Sequence, residues 1–153
     1  MTLDIGDKLP AFKAETAEGP ISNKDLKGSN VVIYFYPKDD TSGCTREAQD
    51  FTALAGDFAK AGVALLGVSK DSLASHAKFT AKYGLAVPLA SDPEGAMIEA
   101  YGGWVEKNMY GRKYMGIERS TFLIDASGKL ARIWRKVKVP GHAAEVLKAA
   151  QAL

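Results

Sequence analysis

The stretch YFYPKDDTSGCTREAQDF, residues 34–51, holds the chain's single cysteine, Cys44. A thiol does chemistry as its thiolate, which is favoured where unpaired backbone N–H groups and the positive end of a helix face the sulfur. Around Cys44 the residue types suit that purpose. Gly43 leaves room for a close backbone approach, Thr41 can bring a hydroxyl near the sulfur, and Pro37 can fix the loop's mouth and shield it from water. A lone cysteine is also commonly an inert core residue. From the residues alone both readings stand.

The flanking pattern says how such a thiol would be positioned. VVIYFY (31–36) and VALLGV (63–68) are short apolar runs without polar alternation, which reads as strands buried on both faces of a sheet. Between them Ala48, Phe51, Leu54, Ala55 and Phe58 recur at helical spacing, and Gly62 closes the helix. This strand–helix–strand unit, whose crossover should be right-handed, puts Cys44 at a strand-to-helix junction. Further along, the sequence predicts a helix over 72–83 closed by Gly84, and a short helix in 91–102 with Asp92 as cap and Pro93 in its first turn. A hairpin of 120–125 with 129–136 should follow, then an amphipathic helix from near Pro140 with Ala143, Val146, Leu147 and Ala150 on one face. The layering expected is α/β, a central mixed sheet with helices on both faces.

Composition narrows the function classes. The chain has 153 residues, 46% hydrophobic and 25% charged, with a formal net charge of +2, as one soluble domain over 1–153 would. Basic residues form no long run, and RIWRKVKV alternates charge with apolar residues as an edge strand does, so no nucleic-acid partner is expected. No apolar run is long enough for a bilayer, and MTLDIGDKLPAF lacks the features of a signal peptide. A single cysteine can form no internal disulfide, which points to a reducing cytoplasm. His76 and His142 show no metal-ligand spacing and are expected at the surface; a cysteine–histidine hydrolase built on one of them is the competing reading. The glycine-containing segment around MYGRKYMG is expected as a flexible loop near the site. Its Trp104, Met109, Tyr110, Tyr114 and Met115 should cover the core, or else line a substrate groove.

PKDDTSGC fits Pro-x-x-x-Thr-x-x-Cys and resembles the active-site loop of the peroxiredoxins, most closely the Q-type or bacterioferritin comigratory members. SDPEGA, KNMYGRKYMGIERSTFLID and RKVKVPGHAAEVL resemble further segments of that subfamily in the same order, so the resemblance spans nearly the whole chain. It implies a thioredoxin-like fold and a thiol-dependent peroxidase without metal or organic cofactor. Cys44 would attack the peroxide O–O bond, Thr41 would hydrogen-bond peroxide and thiolate, Pro37 would shield, and Arg119 would face the sulfur. Glu47 would orient an arginine, whose identity the sequence leaves open. Where many Q-type members carry a resolving cysteine this chain has Gln49, and SLASHAKFTAKYG contains none either. The sulfenic acid would then be reduced by an external thiol: thioredoxin, glutaredoxin or a small thiol. Ser42 stands where proline is common in relatives, a minor departure. The Q-type default is a monomer. The rival reading is a redox sensor or relay that uses Cys44 stoichiometrically; a disulfide exchanger fits poorly without Cys-x-x-Cys.

A general magnitude shows what such a site must supply. Lowering a thiol's pKa from ~8.5 to ~5.5 raises its thiolate fraction at neutral pH roughly 30-fold. A Brønsted slope of ~0.45 takes back about 20-fold in nucleophilicity. Ionisation alone is therefore a small gain, and stabilising the leaving oxygen has to be the larger one.

Overall fold

The apolar runs form the middle of a sheet; 31–36 is buried throughout, whereas in 63–68, expected to be buried on both faces, Ala64 is exposed and Leu65 partly so. The computed structural model describes residues 3–153. An N-terminal hairpin, β1 (Lys13–Thr16) and β2 (Gly19–Ser22), precedes β3 (Asn30–Phe35). Next come α1 (Ser42–Ala53), α2 (Ala55–Lys60), β4 (Val63–Ser69) and α3 (Leu73–Tyr83). The chain continues through β5 (Leu89–Ser91), α4 (Ala96–Ala100), β6 (Trp104–Met109) and β7 (Arg112–Ile117). It ends with β8 (Ser120–Ile124), β9 (Leu130–Trp134) and α5 (His142–Gln151).

Seven strands make one mixed sheet in the order β2-β1-β5-β4-β3-β8-β9. β3, β4 and β5 run parallel, while β8 pairs antiparallel with β3 and β9 with β8. Alternate residues of β3 feed two cores. Val32 and Tyr34, followed by Tyr36, meet Phe51, Phe58, Phe79 and Val146 from α1, α2, α3 and α5. Val31, Ile33 and Phe35 meet Met97, Ile98 and Tyr101 from α4 and its end. Helices thus cover both faces, as the patterning predicts.

Several elements depart from the sequence reading. The expected single helix after Cys44 breaks at Leu54 into α1 and α2. The short helix starts at Ala96, not Pro93, because residues 92–95 first close a turn (Gly95 N–H to Asp92 carbonyl, 3.0 Å). Asp92 still caps, at longer range: its carboxylate accepts the Ile98 N–H at 2.9 Å. The segment expected as a loop is the antiparallel ribbon β6–β7, and Met109, Tyr110, Tyr114 and Met115 on it are exposed, so they do not cover the core. Trp104 alone of that set packs against the core. Neither histidine is a surface residue: His76 and His142 are 4% and 5% exposed. The α3 limits, the β8–β9 hairpin and the edge position of β9 agree with the pattern. No helix among the described residues is long and apolar enough to cross a membrane.

Candidate active site

β3 ends at the centre of the sheet, and the loop that leaves it, residues 36–41, delivers the chain into α1. Cys44 lies in the first turn of α1, 2% exposed. The first hydrogen bond of the helix is donated by Thr45 to the Thr41 carbonyl (2.8 Å), so the Gly43 and Cys44 N–H groups precede the bonded ladder. Pro37, half-buried, opens the loop.

Arg119 enters from the two-residue link between β7 and β8, and its backbone is pinned by Val137, whose N–H donates to the Arg119 carbonyl at 3.0 Å. Its guanidinium divides between two partners. Nη2 donates to the Cys44 sulfur at 3.2 Å, and Nη1 donates to Glu47 Oε1 at 2.6 Å. The Glu47 partner left open by the sequence is therefore Arg119. Gly43 serves this arrangement: a Cβ there would lie 3.3 Å from Arg119 Nη2, so the missing side chain makes space for the guanidinium.

Thr41 is the N-cap residue, extended at φ −92°, ψ 156°. Its hydroxyl donates to the Lys38 carbonyl at 2.9 Å, within the loop. The proton is committed there, and the acceptor side of the oxygen is what the hydroxyl offers to a hydrogen-bearing ligand.

The electrostatics follow from burial. Burial pushes the Glu47 carboxyl up to about 7 against the pull of Arg119, and its second oxygen, Oε2, is buried without a partner. For Arg119, burial works to lower the pKa, but the charges of Glu47 and Cys44 outweigh it and the net direction is up. Lys107, midway along the β6–β7 ribbon, is lowered by burial first and then by Arg119, so the ribbon lies within electrostatic reach of the site.

Sequence reasoning had no role for the two acids of PKDDTSGC. Asp40, at φ 60°, accepts from Lys82 Nζ (2.8 Å) and from the Tyr83 hydroxyl (2.6 Å) at the end of α3. Asp39 is buried against the start of α3. Two adjacent acids in a short loop beside a cysteine were the available signal. Gln49 is exposed, and Cys44 is a free thiol.

The AhpC/TSA family model matches residues 5–133. The chain belongs to that family. It is 55% identical over 125 residues to peroxiredoxin Bcp of Xanthomonas campestris, covering 82% of this chain and 78% of that protein. With peroxiredoxin Bcp of Bacillus subtilis it shares 46% identity over 149 residues, covering 97% and 95%. Among solved structures, a cysteine-to-serine variant of Xylella fastidiosa PrxQ superposes with a TM-score of 0.93 at 39% identity, covering 99% and 98%. A structure of Xanthomonas campestris bacterioferritin comigratory protein, from work on its alkyl peroxide reduction activity, gives 0.90 at 47% identity, covering 97% and 98%. The chain is thus a thioredoxin-fold peroxiredoxin, a thiol-dependent peroxidase acting on peroxide with a thiol reductant.

Proposed function

We propose that Cys44 is the peroxidatic cysteine and that Arg119, Thr41, Gly43, Pro37 and Glu47 form its site, in one domain spanning 1–153. The observation that carries this is the single guanidinium bonded to both the Cys44 sulfur (3.2 Å) and Glu47 (2.6 Å). The thiolate attacks one peroxide oxygen, the S–O bond forms as the O–O bond breaks, and the departing oxygen leaves as water or an alcohol after taking a proton. Arg119 and the N–H groups at the start of α1 face the charge that develops on the oxygens. The Thr41 oxygen accepts the hydroxyl hydrogen of the peroxide and so orients it. Substrates are hydrogen peroxide and small organic hydroperoxides, a choice in keeping with the alkyl peroxide activity of the Xanthomonas relative.

The product is a Cys44 sulfenic acid. With one cysteine in the chain, a thiol from outside attacks that sulfur, water leaves, and a mixed disulfide forms; a second thiol then frees Cys44. Thioredoxin, a glutaredoxin or a small thiol in a reducing cytoplasm fits this role, and the protein acts as a monomer. The test is intact mass spectrometry after one equivalent of hydrogen peroxide, quenched within about a second in the presence of a sulfenic-acid trap. A stoichiometric adduct that vanishes in Cys44→Ser is expected; an unmodified thiol after minutes would end this reading.

A further inference from the structure

A buried polar network fills the space beside the site, where the carboxyl ends of β3, β4 and β5 meet the start of α3. Its centre is Asp39, five residues before Cys44. Asp39 Oδ1 accepts from the Tyr36 hydroxyl at 2.6 Å. Oδ2 accepts from the Ser75 hydroxyl at 2.8 Å and faces His76 Nδ1 at 2.7 Å. The Asp39 N–H donates to Asp71 Oδ2 at 2.8 Å, and that oxygen also accepts the Ser69 hydroxyl at 2.7 Å. The Ser91 hydroxyl donates to the Asp71 carbonyl at 2.6 Å. The far side of the imidazole, Nε2, lies 3.0 Å from the Ala90 carbonyl.

The protons can be assigned from these partners. A backbone carbonyl only accepts, so Nε2 carries a hydrogen. Asp39 Oδ2 already takes the Ser75 hydrogen and Oδ1 the Tyr36 hydrogen, which is how an ionised carboxylate is surrounded. Nδ1 then also carries a hydrogen, and the ring is an imidazolium. The titratable groups facing it are Tyr36 at the end of β3, Asp39 in the loop and Asp71 after β4; β5 presents the Ala90 carbonyl. One polar side-chain atom each of Asp39, Asp71 and His76 lies within 4.8 Å of the other two, so both carboxylates stand near the ring.

We propose that His76, as a buried imidazolium, is a positioning residue for the peroxide reaction, holding residues 37–41 in the conformation that presents Thr41 and the start of α1 to the substrate. This rests on the reading of Cys44 as the peroxide-reactive centre. The loop has two fastenings to α3, Asp39 to Ser75 and His76, and Asp40 to Lys82 and Tyr83. They differ in kind. The His76 and Asp39 side chains are 5% and 3% exposed, whereas those of Lys82 and Asp40 are 58% and 42% exposed and screened by water. Removing one partner of the buried pair strands a charge, and the stranded Asp39 regains water by moving, which takes Thr41 with it.

The test is the rate constant of sulfenic acid formation at Cys44 in the wild type and in His76→Gln, which keeps a hydrogen-bond donor and drops the charge. The variant should be about tenfold to a hundredfold slower as folded protein. The thiolate absorbance of Cys44 should stay near its wild-type value in the variant, because the loop and not the sulfur is displaced. Equal rates, or a loss matched by a loss of thiolate, would overturn the proposal, even if the melting temperature drops. Nitrogen-15 spectra of the wild-type imidazole give a second reading that needs no variant. Two protonated ring nitrogens at neutral pH support the proposal, and one unprotonated nitrogen overturns it. If wild-type Cys44 forms no sulfenic acid at all, the reading of the site fails instead, which the same mass measurement shows directly.

Discussion

With Nη2 of Arg119 at 3.2 Å from the Cys44 sulfur and Nη1 at 2.6 Å from Glu47, a lysine at this position would reach one partner or the other. The planar fork of a guanidinium reaches both. If its main work is on the departing oxygen, Arg119→Ala should slow peroxide reduction by about 10²–10³ while moving thiol ionisation, read from thiolate absorbance, by far less. Losses of equal size in both would contradict that division. Glu47 makes a separate prediction about stability. An unfolded glutamate ionises near 4.5, whereas the buried one keeps its proton up to about 7. Between those values the native state holds the extra proton, so stability is fully present below 4.5 and declines as pH rises towards 7. Melting curves across that window should show the decline, and Glu47→Gln should flatten it.

The elements that present the site could be read in the sequence to the degree that their partners are local. Val31–Tyr36 and Val63–Val68 announce two buried strands by composition alone, and the Ser72 and Gly84 caps of α3 are written into its ends. β5 has three residues, too few for a pattern, and β6–β7 carries exposed residues on a ribbon outside the main sheet. The histidines were misplaced for a related reason. What buries His76 is Asp39, 37 positions away, and what holds His142 is the Thr121 hydroxyl at 2.7 Å, 21 positions away; neither leaves a local trace. At the site, the resemblance indicated Cys44 and Arg119, but the sharing of one guanidinium between Cys44 and Glu47 needed coordinates. One packing contact joins element to site. A Cβ on Gly67 of β4 would lie 2.8 Å from the Tyr34 ring, which stacks on Phe51 of α1 at 4.7 Å. Gly67→Ala should therefore cost about 1–3 kcal/mol in denaturant titrations, because Tyr34 cannot shift without pushing α1. A substitution without effect would show that Tyr34 has room to move.

At the scale of the whole molecule, one thiol means that the oxidised state has no internal exit. Repeated peroxide pulses without a fast reductant should convert Cys44 to sulfinic acid, with activity lost in step with the added oxygen seen by mass. Full activity after many pulses would mean that the sulfenic acid is protected some other way. The same molecule must admit two visitors of very different size. A peroxide is a few atoms across, small enough for a sulfur on a residue that is 2% exposed. A reducing protein has to bring its own sulfur to bonding distance of Cys44, and the folded first turn of α1 stands in the way. With Cys44 as the reacting sulfur, the oxidative half of the cycle would run on the closed molecule, while a protein donor would need that turn to open. The two halves should then answer oppositely to a mild loosening of the fold: a little urea should slow peroxide consumption and quicken turnover by a protein donor in steady-state assays. A small thiol, needing less of an opening, would show a weaker acceleration than a protein one.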